Sequence, residues 1–183
     1  MAVIFICMAT SSWIQSSGGQ VAVSKIVLPT QNGQSLAATL FKPISATSDT
    51  PAPFVAVVPG FQRSREALSN IAIELSRRGF VVVSIDPYGQ GSSSSSMSTR
   101  SATYEGYGMF ALIDYVFETD NLNYVDKSRI GATGHSAGGN AAIRGAAYFG
   151  KEASETDSAL SKLHSVYISG YVLTLRNSVL RHV

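Results

Sequence analysis

Gly134-His135-Ser136-Ala137-Gly138-Gly139 is the stretch on which the reading of this chain turns. It has the form G-x-S-x-G. With glycine near 7% of residues, three fixed positions of this kind match by chance in roughly one chain in twenty of this length, so the context must carry the weight. A short apolar run, Ile130-Gly131-Ala132-Thr133, leads in, and a small-residue run from Asn140 to Ala147 with helical character leads out. Strand, tight turn and helix together make a nucleophile elbow. The alternative is a glycine-rich turn carrying an exposed serine. The glycines have a steric reason in the first case: a serine on so sharp a turn has strained dihedrals, and its neighbours must be small. The helix that follows then starts beside Ser136, with its free N–H groups and dipole facing any negative charge that develops there.

Continuous apolar runs surround this motif. Val21 to Leu28 and Ser35 to Lys42 read as two strands joined through Gln31-Asn32-Gly33-Gln34, a hairpin signal. Phe54 to Val58 and Phe80 to Ile85 are apolar throughout, as befits strands buried on both faces of a parallel sheet. Between them Leu68, Ile71, Ala72 and Leu75 recur at helical spacing, stopped by Gly79. Met109, Leu112, Ile113 and Val116 mark a second helix, Ala142, Ile143, Ala146 and Ala147 a third, and Val166 to Ser169 a last strand. The serine run Ser92 to Ser96 is expected to be a mobile loop. Hairpin followed by alternating strands and helices predicts an α/β fold, a doubly wound, mostly parallel sheet with an N-terminal β-hairpin, helices on both faces and right-handed crossovers.

Composition sets the outer bounds. The chain has 183 residues, 45% hydrophobic and 14% charged, with a formal net charge of +2. That suffices for one domain with a core and does not suit a disordered chain. Lysines and arginines are scattered, which gives nucleic-acid binding no support, and a single cysteine, Cys7, excludes an internal disulfide. No metal-ligand spacing and no phosphate-cradling glycine loop is present, so no metal and no cofactor is expected. Met1 to Ala9 is an unbroken apolar run followed by the polar stretch Thr10 to Gln20. It is too short to span a bilayer and lacks the charged start of a signal peptide. The alternatives are a membrane or export segment with a polar linker behind it, giving membrane association, or a buried N-terminal strand. Residues 1–20 are thus set apart from a domain over 21–183.

Three stretches resemble the α/β-hydrolases, most nearly the dienelactone hydrolase and cutinase-like polyester hydrolase group. They are Val57-Val58-Pro59-Gly60-Phe61, Gly79 to Asp86, and Ser128 to Gly139. The resemblance runs from about Val21 to Gly170. It implies an esterase that works through an acyl-enzyme on Ser136, with the backbone N–H groups of Ala137 and Phe61 as oxyanion donors. Two such donors contribute on the order of 10²–10³ each in rate. Gly134, His135 and Gly138 complete the elbow, and Phe61 and Gln62 are placed at the mouth of the pocket, although Phe61 also fits as a plain core aromatic. A small-molecule ester is the implied substrate, and acyl transfer to an alcohol other than water is not separated from hydrolysis. His135 is not expected to act as base, because neighbouring side chains on a sharp turn diverge. Asp86 is expected to bond loop N–H groups, and Asp126 with Arg129 to form a loop cap and an ion pair.

A serine needs a base, and the base an orienting acid. The family's order is Ser, then Asp or Glu, then His, after the seventh and eighth strands. Here Tyr171 to Val183 contains neither Asp nor Glu, and the histidines beyond the elbow are His164 and His182. His164 is expected at the wrong end of the sheet. The chain thus resembles the N-terminal two-thirds of a hydrolase, with three readings open: a fragment, a chain completed by a partner, or a noncatalytic binding or assembly module. An apolar last strand left as a sheet edge would favour self-association.

Overall fold

The computed structural model describes residues 1–30, 33–94, 103–156 and 162–170. Helix α1 (Ala2–Gln15) precedes β1 (Val21–Pro29), β2 (Ser35–Pro43), β3 (Ala52–Val58), α2 (Ser69–Arg77), β4 (Val81–Ile85), α3 (Met109–Glu118), β5 (Val125–His135), α4 (Ala137–Thr156) and β6 (Ser165–Ser169). Gln31, Asn32, Ser95 and Ser96, with Tyr171 to Val183, lie outside the described residues.

The strands form one sheet in the order β1-β2-β4-β3-β5-β6. β1 and β2 pair antiparallel, with Val21 opposite Pro43 and Pro29 opposite Ser35. β2 meets β4 antiparallel, while β4, β3, β5 and β6 run parallel. The path from β3 steps to β4 on one side, and then returns past β3 to β5 and β6. Right-handed crossovers in opposite directions put their helices on opposite faces. Accordingly, alternate residues of β3 face different layers. Phe54, Ala56 and Val58 join Met109, Ile113, Ala141 and Phe149 in the larger core. Val57 packs with Phe41, Val82 and Ala72 of α2 in the smaller one.

One of the two readings left open for the start of the chain fails, and so does one expectation. The apolar start is not a buried strand: α1 buries none of its residues. A helix satisfies its backbone hydrogen bonds internally, whereas a strand would need a neighbour to accept them. No helix among the described residues is long and apolar enough to cross a membrane. The start of the serine run, Ser92 to Ser94, is not a free loop either. Ser93 Oγ donates to the Asp86 carbonyl at 2.6 Å and accepts the Ala37 N–H at 2.8 Å, while Ser94 Oγ accepts the Ser35 N–H at 2.7 Å. These hydroxyls fasten the loop after β4 to the edge of β2.

Candidate active site

Where crossovers leave a parallel sheet in opposite directions, a crevice opens at the carboxyl ends of the strands. Here that place is the ends of β3 and β5, which run side by side to the pair Val58 and Gly134. β5 ends in the elbow. Ser136 has φ +54°, a left-handed conformation that is costly for a residue with a Cβ. A Cβ on Gly134 would overlap the backbone of Gly138, and one on Gly138 would overlap the carbonyl oxygens of Val58 and Pro59. Both glycines are therefore sterically required. The turn is held from the other side by β6, since the Ser136 N–H donates to the Ser169 carbonyl at 3.0 Å.

Gly60, after the end of β3, passes directly over the serine: a Cβ there would lie 3.5 Å from Ser136 Cβ. This close approach brings the segment Gly60-Phe61-Gln62 to Ser136, a role for Gly60 that spacing alone did not single out. Among the described residues the N–H groups of Phe61 and Ala137 have no hydrogen-bond partner. Ala137 is the first residue of α4, whose opening N–H groups are free by helix geometry. Phe61 is 66% exposed and so is not a core aromatic. Gln62 is exposed with φ +56°.

The β3 loop is clamped from beneath. Asp86, at the end of β4, is buried and ion-paired to Arg65 Nη1, itself buried. Its carboxylate also accepts the Arg65 N–H at 2.7 Å and the Ser92 N–H at 2.8 Å. Gln90 Oε1 accepts the Arg63 N–H at 3.0 Å. Asp86 thus bonds loop N–H groups as expected. The Arg65 partner had no sequence signal, because one loop arginine looks like any other until its burial is known. Asp126 also behaves as expected. Its carboxylate accepts the Ser128 N–H at 2.9 Å and the Ser128 hydroxyl at 2.6 Å, and Arg129 Nε lies 2.6 Å from it. These bonds lower its pKa from 3.8 to about 2, the Ser128 hydroxyl foremost.

The histidines stand apart from the serine. The His135 ring is turned toward β6, with Nδ1 3.3 Å from Ser169 Oγ, and packs against Gly170. His164 Nδ1 accepts the Ile130 N–H at 3.2 Å, just before the start of β6 and midway along β5, away from the end that carries Ser136. His182 lies outside the described residues. Among those described, the Ser136 hydroxyl has no hydrogen-bond partner, and its side chain is exposed. The arrangement places an exposed hydroxyl near two backbone N–H groups that have no partner among the described residues. An apolar cavity of about 430 Å³ lies elsewhere, between α2 and β6, bounded by Ile71, Leu75, Phe80 and Tyr167.

Solved structures share this architecture. A hypothetical protein of Pseudomonas aeruginosa is 23% identical, with TM-score 0.64, over 84% of this chain and 44% of its own. A bacterial heroin esterase is 17% identical, with TM-score 0.64, over 90% and 51%. An esterase of Pyrococcus furiosus is 20% identical, with TM-score 0.57, over 71% and 48%. The chain therefore spans about half the length of these structures, and at such identities the likeness is one of fold, the α/β-hydrolase fold. A family model described as "PETase: PET hydrolase-like" matches residues 7–159, a range that contains the elbow, the β3 loop and the Asp86 clamp. The match falls on the polyester-hydrolase side of the resemblance noted in the sequence, and the chain belongs to the PET hydrolase-like family.

Proposed function

We propose that this chain carries the nucleophile and oxyanion half of a serine ester hydrolase. The observation that supports this best is the left-handed Ser136 between two glycines that admit no Cβ. A strained residue that the surrounding backbone over-determines is a mark of function. In this reading Ser136 Oγ attacks the ester carbonyl and gives its proton to a base. The oxygen turned negative is held by the Phe61 and Ala137 N–H groups, aided by the α4 dipole. The base returns the proton to the departing alcohol, leaving an acyl-enzyme. Water then adds to the acyl carbon, the Ser136–acyl bond breaks, and the acid is released. Exposed Phe61 beside the serine, with the family's printed description, supports an aromatic or acyl ester substrate. The base is assigned to a group beyond the described residues, in His182, in a longer form of the chain or in a second polypeptide, since His135 and His164 are engaged elsewhere.

A second reading is a noncatalytic binding or assembly module. It is favoured by the absence, among the described residues, of any hydrogen-bond partner for the Ser136 hydroxyl. Among the described residues β6 is the outermost strand on its side of the sheet, with Tyr167 70% exposed, which supports self-association in either reading.

Labelling with an alkyl fluorophosphonate, beside hydrolysis of a p-nitrophenyl ester, decides between them. Labelling of the chain that vanishes in Ser136→Ala supports an activated serine. A folded chain that neither labels nor hydrolyses overturns catalysis by this chain on its own and leaves two accounts, a part of a longer hydrolase or the module.

A further inference from the structure

Helix α1 is the largest apolar feature that the site does not use. Val3, Ile4, Phe5, Ile6, Met8, Trp13 and Ile14 are each more than half exposed. Successive residues of a helix lie about 100° apart, so Val3 to Ile6 alone carry apolar side chains around the whole circumference. A groove on a protein covers one stripe of a helix and leaves the rest in water. A medium that covers every side at once is hydrocarbon.

Charge points the same way. No Asp, Glu, His, Lys or Arg stands before Lys25, so the side chains of α1 bring no formal charge into lipid, and its polar ones, Thr10, Ser11, Ser12 and Gln15, lie in its second half. The first cation met at its foot is Arg77, whose Nε donates to Ser17 Oγ at 3.1 Å. Arg77 lines a cleft of about 310 Å³ there together with Gly19 and Ile44, the latter 58% exposed. An exposed guanidinium and an exposed aliphatic side chain at the end of an apolar helix match the phosphate and glycerol level of a bilayer. At about 21 Å, 14 residues reach into one leaflet and do not cross the roughly 30 Å of hydrocarbon.

We propose that α1 inserts into a phospholipid leaflet and tethers the domain to the membrane surface, with Arg77 at the headgroups. Trp13 is the sole tryptophan of the chain and reports insertion directly. The full chain is mixed with phosphatidylcholine vesicles, with and without phosphatidylglycerol, and followed by flotation and by Trp13 emission. The expected result is co-flotation with a blue shift on both vesicles. Phosphatidylglycerol should strengthen binding a few-fold, and Arg77→Gln should remove that increment. A doubly substituted chain, Ile4→Asp with Met8→Asp, should lose more than about tenfold in binding. Because α1 buries no side chain, circular dichroism of that variant should be unchanged. Three results would overturn the tether. One is unshifted emission with no flotation. Another is lipid-free association through α1 with no vesicle binding. The third is recovery from producing cells of a chain that starts between Ser16 and Val21, which would make α1 a removed leader.

Discussion

Gly138 and Val58 are in backbone contact: a Cβ on Gly138 would overlap the Val58 carbonyl oxygen. One residue opens the helix behind the serine and the other ends the central strand, so this contact seats α4 on β3. The obstacle is a sheet backbone, which cannot swing aside as a side chain would. Gly138→Ala should therefore destabilise the domain by about 3 kcal/mol, the upper end of the usual cost of overpacking. Urea denaturation followed by far-ultraviolet circular dichroism measures it. A loss below 1 kcal/mol, on the order of ordinary surface effects, would mean the elbow is not packed this way.

Ser136 is strained at φ +54°. Glycine adopts that conformation freely, and the relief of about 1–2 kcal/mol exceeds the extra entropy glycine loses on folding. Ser136→Gly should raise stability by about 0.5–1 kcal/mol while abolishing fluorophosphonate labelling. A variant less stable than the parent would show that the serine carries no strain.

Asp86 and Arg65 form a buried pair under the β3 loop. Removing one partner leaves an uncompensated buried charge. Asp86→Ala should cost about 3–5 kcal/mol, and any labelling of Ser136 should fall with it because Phe61 loses its support. Differential scanning calorimetry reads the first effect. His164→Ala, by contrast, should leave labelling intact, since that ring is bonded to the Ile130 N–H far from the serine.

Asp126 has its folded pKa lowered to about 2. A depressed carboxylate stabilises the fold above its unfolded pKa, and that contribution is lost as pH falls through about 4 to 2. The side chain is 25% exposed, and with screening the contribution is on the order of 1 kcal/mol. Asp126→Asn should flatten the acid limb of the stability profile by that amount and change nothing above pH 6 beyond a constant offset. An unchanged slope between pH 4 and 2 would remove Asp126 as its source.

Strands were legible wherever burial on both faces forces apolar runs, as in Phe54 to Val58 and Val81 to Ile85. The elbow was legible because its glycines are dictated by contacts within a few residues. What sequence could not show lies in partners distant along the chain. Ser93 and Ser94 accept N–H groups of β2, and Ser93 donates to the Asp86 carbonyl; a serine run looks the same whether or not such partners exist. Gly60 is explained only by Ser136, and buried Arg65 only by Asp86. The start of the chain was ambiguous for a different reason. An apolar run without polar interruption has no period, so it cannot tell helix from strand.

The strand order also has a temporal meaning. β3 sits between β4 and β5, and both of its neighbours are synthesised after it. Phe54 pairs with Val81 on one side and Ile130 on the other, whereas the β1–β2 hairpin is complete before β3 emerges from the ribosome. β3, apolar throughout, thus waits for β4 and then, on its other side, for β5, which closes the centre last. During that interval the nascent chain is at its most vulnerable to wrong pairing, and slow or paused translation between β3 and β5 would lengthen the exposure.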